Sequence, residues 1–96
     1  MTRIFEVEDK SGRKIHLSDE RWKHIVTEHS VLANKIEDIK DVLSNPLSIR
    51  KSKYDENVRY YYKYNKSLSK YLMVSVKYLN GEGFVITAFY TSKLEK

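Results

Sequence analysis

The sequence predicts an α+β fold: an N-terminal hairpin and two helices packed on a four-stranded antiparallel sheet. Three observations carry this. Apolar residues recur with helical spacing between Ser18 and Leu43. Residues 58–64 and 71–79 instead alternate with the period of a strand. Ser44-Asn45-Pro46 separates the two regimes, because proline cannot continue a helix and restricts the residue before it.

Arg3 to Glu8 alternates as a strand, Lys10-Ser-Gly-Arg13 reads as a turn, and Lys14 to Leu17 resumes the strand, which makes the hairpin. Ser18 suits an N-cap, and Asp19 and Glu20 place negative charge where the macrodipole favours it. The first helix runs to about His29, with Trp22, Ile25, Val26 and His29 on one face. The second runs from about Leu32 to Leu43, with Leu32, Ile36, Ile39 and Leu43 as its stripe. The expected sheet strands are Ser48 to Lys53, Val58 to Tyr64, Tyr71 to Leu79 and Phe84 to Thr91. Asn80-Gly-Glu-Gly83 is a strong hairpin signal between the last two. In the second of these strands the set Tyr60, Tyr62 and Tyr64 is expected to face the core. That leaves Tyr61, between Arg59 and Lys63, on the other face.

Ninety-six residues suit one domain over 1–96, and a hydrophobic content of 41% suffices for a packed core. The absence of cysteine excludes disulfides and thiolate metal sites and agrees with a reducing cytoplasm. No window approaches the roughly 18 apolar residues of a membrane span. The opening Met-Thr-Arg-Ile-Phe-Glu lacks the apolar core of a signal peptide. A soluble cytoplasmic protein without membrane contact is the expectation. The net charge of +5 is unevenly placed: residues 50–78 hold 8 Lys/Arg against 2 Asp/Glu, while 1–49 hold 8 against 9. A positive field concentrated in predicted sheet attracts polyanions. Arg50, Lys51, Lys53, Tyr61, Lys63 and Lys93 are the candidates for nucleic-acid contact.

His24 and His29 stand five apart, about 140° around a helix at roughly 100° per residue. That spacing disfavours a shared metal, and the His-Glu-x-x-His signature is absent, so no metal or other cofactor is expected. On residue type and position alone, His29 reads first as a hydrogen-bonded histidine at a helix end, His24 as a surface residue and His16 as structural. The chain nevertheless carries what metal-free RNA cleavage requires. Histidine serves as base or acid, cations grip phosphate, and hydroxyls donate to its oxygens. His24, His29, Arg50, Arg59, Lys77, Lys93, Thr87, Tyr90 and Thr91 form that inventory.

Four stretches in order resemble a known family. They are Glu20-Arg-Trp-Lys-His-Ile-Val-Thr-Glu-His29, Asn45-Pro46 followed by Ile49, Tyr71-Leu-Met-Val-Ser-Val-Lys77, and Gly83-Phe-Val-Ile-Thr-Ala-Phe-Tyr-Thr-Ser-Lys93. Together they resemble the phage-associated nuclease domains of the barnase–EndoU–colicin–RelE-like (BECR) group. The resemblance implies the α+β fold and metal-independent ribonuclease chemistry of phage or toxin type, with RNA as substrate. It points to His24 and His29 and to Thr87, Tyr90 and Thr91 around a common cleft. His29 would be the main proton-transfer residue, Arg59 or Lys77 the central cation, and an acidic antitoxin or immunity protein the partner. After His29 the chain reads Ser30-Val31 where similar sequences often continue with proline and glutamate. A catalytically silent nucleic-acid-binding module and a protein-interaction domain on the same fold are the alternatives.

Overall fold

A computed structural model describes residues 3–94; Met1, Thr2, Glu95 and Lys96, part of the expected 1–96 unit, lie outside the described residues. Arg3–Glu8 (β1) and Lys14–Ser18 (β2) form the hairpin, whose turn contains Gly12 at a φ of 90°. Ser18 ends β2 and caps the helix that follows, its hydroxyl accepting from the Arg21 N–H at 3.2 Å. That helix, α1, spans Asp19–Glu28 and ends at the C-cap His29, whose φ of −135° leaves helical geometry. A 3-10 turn, Ser30–Leu32, follows, and the second helix, α2, spans Ile36–Ser44. The expected start at Leu32 is therefore too early. Leu32 is fully buried, but from the 3-10 turn rather than from α2.

Ser48–Lys51 (β3), Val58–Asn65 (β4), Lys70–Leu79 (β5) and Glu82–Thr91 (β6) complete the chain. The turn joining β5 to β6 places Asn80 and Gly81 at φ of 54° and 82°, the positive pair a type I′ turn requires. The sheet has six strands in the order β1-β2-β6-β5-β4-β3, not the expected four, and it is mixed. The hairpin joins it through a short parallel pairing of β2 with β6, Ile15 beside Gly83 and His16 beside Phe84. Gly83 permits that junction. A Cβ there would lie 2.9 Å from Val76 Cγ1 and 3.0 Å from both Ile15 Cγ1 and Tyr78 Cε1.

Both helices pack on one face of this sheet. Ile25, Leu32, Ile39, Val42 and Leu43 meet Phe5, Ile15, Leu17, Tyr61, Leu72, Val74, Val76, Tyr78, Val85 and Ala88 in one core. The face assignment expected for β4 is therefore reversed. Tyr61 pairs with Val74 and is 3% exposed within the helix-side core, while Tyr60, Tyr62 and Tyr64 occupy the opposite face. Period-two spacing could not decide this, because tyrosines stand on both faces of β4. The charged neighbours of Tyr61 accommodate its burial. Lys63 reaches Asp41 of α2 at 2.6 Å, and Arg59 turns back to the carbonyls of Glu56 and Val58.

Tyr61 is held by a polar group carried through the sheet. Tyr78 donates to Asp9 Oδ2 at 3.0 Å, which leaves its own oxygen to accept from Tyr61. Asp9 also accepts from the Ser11 hydroxyl and N–H, the Arg13 N–H and Arg13 Nε, and the Arg13 guanidinium lies 3.9 Å from the Tyr78 ring centre. Burial by itself would raise Asp9, but these hydrogen bonds outweigh it and hold the carboxyl below its ordinary value. Burial pushes the Tyr78 hydroxyl well up, and Tyr61 and Asp9 push it further.

Two outcomes are expected. Gly83→Ala should lower stability by about 1–3 kcal/mol, read from denaturant unfolding, because three side chains must shift to admit the methyl. Asp9→Ala should cost about 1–3 kcal/mol at neutral pH by leaving the Tyr78 hydroxyl and two N–H groups without their acceptor. A depressed carboxylate stabilises above its unfolded pKa and loses that contribution as pH falls through the folded value. The gap between wild type and Asp9→Ala should therefore narrow below about pH 4 in a series of thermal melts.

Candidate functional site

The face of the sheet away from the helices is where the hydroxyls gather, and a bulge in β6 puts them there. From the turn, Leu79 pairs with Glu82, Lys77 with Phe84 and Val76 with Val85; the register then slips, so that Ser75 meets Thr87 rather than Ile86. Ile86 is the extra residue. Beyond it Thr87, Phe89 and Thr91 lie on the open face, and Ala88 and Tyr90 turn to the helix side.

Tyr60, Tyr62, Met73, Ser75, Thr87, Phe89, Thr91 and Lys93 line a groove of about 330 Å³ on that face. Ser75 and Thr87 are cross-strand partners, so two hydroxyls stand side by side. Thr91 Oγ1 accepts from the Lys93 N–H at 3.3 Å and donates to its carbonyl, which bends the chain end over the groove. Arg50 shares this face, paired with Tyr60, its Nε donating to Ser48 Oγ at 3.0 Å.

His29 adjoins the groove through Phe89. Their ring centres are 5.6 Å apart, and the two line a second recess of about 410 Å³ with Val31, Leu68, Lys70 and Tyr90. His29 is half-buried, and its backbone N–H donates to Ile25 at 2.7 Å as the helix closes. His24 is exposed, in a separate small recess with Ser18, Glu20 and Arg21. The two histidines thus occupy different recesses, as the helical geometry implies.

The other expected site residues are dispersed. Tyr90 alternates away from Thr87 and Thr91, and its hydroxyl is buried with no hydrogen-bond partner among the described residues. Burial, and then Asp38, raise it above the usual tyrosine value. Arg59 and Lys63 belong to the helix side; Lys63 is paired with Asp41, whose carboxyl that contact lowers. Lys77 is on the open face, 3.1 Å from Asp55. Lys51 and Lys53 are exposed near the β3 edge. Tyr61, offered by the sequence as a base-stacking ring, is inside the core, so Tyr60 and Tyr62 are the tyrosines of β4 that reach the groove.

Ser75, Phe89 and Tyr62 were not singled out by sequence. The hairpin turn fixes the β5–β6 register and would have revealed the pairing of Ser75 but for the bulge. Among the described residues no group of three or more His, Cys, Asp or Glu is placed to hold a metal ion, and no helix is long and apolar enough to cross a membrane.

A mixed sheet with helices on one face and a polar groove on the other fits a nuclease of the BECR type. Residues 4–96 match the family described as phage-Barnase-EndoU-ColicinE5/D-RelE like nuclease 2, and the chain belongs to that family. Comparison with curated proteins and with solved structures gave no match.

Proposed function

We propose that this nuclease is a metal-independent ribonuclease of phage or toxin type, and that RNA lies along β6 on the open face. One observation carries the reading: Ser75, Thr87 and Thr91 stand with Tyr60, Tyr62 and Lys93 in one groove, and His29 adjoins it through Phe89. A base removes the proton of the ribose 2′-hydroxyl, the 2′-oxygen attacks phosphorus, and the bond to the 5′-oxygen breaks. That oxygen takes a proton, leaving a 2′,3′-cyclic phosphate and a 5′-hydroxyl.

Histidine suits either proton-transfer role, and His29 is the histidine that adjoins the groove. With Ser30-Val31 after it, no glutamate follows to share the task. Thr87, Ser75 and Thr91 donate to phosphate oxygens, and Lys93 and Arg50 supply positive charge from the same face. Arg59, directed to the opposite face, is the weaker candidate for the central cation. An acidic antitoxin or immunity protein would find its complement on the basic 50–78 surface.

The test is cleavage of total RNA and tRNA in the presence of EDTA. Wild type should produce cyclic phosphate ends. His29→Ala should lose about 10²-fold or more in rate and Thr87→Val about 10²-fold, both still binding RNA. Intact RNA with wild type, or full activity in His29→Ala, contradicts the reading.

A further inference from the structure

A cavity of about 500 Å³ lies apart from the hydroxyl groove. It opens where β2 meets β6 and is walled by Phe84, Leu79, Val85 and Ile86, with Arg3, Arg21 and Lys77 at its polar side. The same junction and the same bulge that order the sheet create it.

Its parts have different chemistry. Phe84 is 37% exposed and rigidly placed, because His16 meets it edge-on with ring centres 4.3 Å apart. His16 is 6% exposed, and its Nδ1 has no hydrogen-bond partner among the described residues. Of the three cations, Arg3 is held by Glu6 at 2.6 Å and Lys77 by Asp55 at 3.1 Å. Arg21 has no ion pair or side-chain hydrogen bond among the described residues, so its fork is available to an anion.

An exposed, fixed aromatic ring over an apolar floor, with an unpaired guanidinium beside it, is complementary to a nucleotide. The ring takes a base and the guanidinium its phosphate. Thr87 stands three residues along β6 from Phe84, about 10 Å at roughly 3.3 Å per residue, so a strand in the groove continues naturally into the cavity.

We infer that this cavity is a flanking-nucleotide subsite, in which an unpaired base of the RNA substrate stacks on Phe84 and its phosphate meets Arg21, so that the enzyme takes single-stranded RNA. The inference rests on the ribonuclease reading above. A base in a duplex is already stacked and cannot occupy Phe84.

The experiment is fluorescence anisotropy with a labelled 2′-O-methyl hexaribonucleotide, which cannot be cut, on the full chain. Phe84→Ala and Arg21→Gln should each weaken binding about tenfold, and Phe84→Trp should retain it. Annealing the complementary strand should abolish binding. Circular dichroism melts of the variants report that each is folded, and both substituted side chains are at the surface. If wild type binds and both variants bind equally well, or if the duplex binds as well as the single strand, the subsite is overturned and the ribonuclease reading survives. If wild type binds no RNA, both fall together.

Discussion

One extra residue in β6 decides which side chains of this molecule reach the open face of the sheet. A ladder counted straight from the Asn80-Gly81 turn would set Thr87 against Val74 and Phe89 against Leu72, in the core beneath the helices. The bulge at Ile86 shifts everything beyond it by one position. Ala88 then pairs with Val74, both fully buried, and the threonines emerge on the open face beside Ser75. Core packing and the polar groove are therefore one constraint: the bulge that satisfies the first creates the second.

Gly83 sits just before that bulge and admits β2 to the sheet. The hairpin would otherwise have no strand to pair with beyond itself. Joined to β6, it places His16 against Phe84 and closes one wall of the cavity that Phe84 and Arg21 line. The polar group of Asp9, Tyr78 and Tyr61 ties the hairpin's turn to the middle of the sheet.

Much of the architecture was legible because it is local. The Ser18 cap, the helical stripe of Ile39 and Leu43, the stop before Pro46 and the positive-φ turn at Asn80-Gly81 each act within a few residues. What was not legible depends on non-local pairing. The parallel contact of Ile15 with Gly83 has no local signature, so the sequence alone predicts a four-stranded sheet. Tyr61 and its neighbours Tyr60 and Tyr62 are the same residue type, so only the partner Tyr78 marks which ring lies on the helix side of the sheet. The separation of Tyr90 from Thr91 follows from strand alternation itself, whereas the position of Thr87 needed the bulge. The positive charge of residues 50–78 is likewise less free than a count implies, since Lys63 and Lys77 are engaged by Asp41 and Asp55.

The proposed path of RNA runs along β6 on the open face. Methyl NMR tests it directly, by titrating the protein with an uncleavable 2′-O-methyl RNA. Shifts are expected at the methyls of Thr87, Thr91 and Met73, with Ala88, Val74 and Leu72 on the helix side unmoved. Shifts confined to the helix side, or to the exposed Leu47 and Ile49 near the β3 edge, would contradict it.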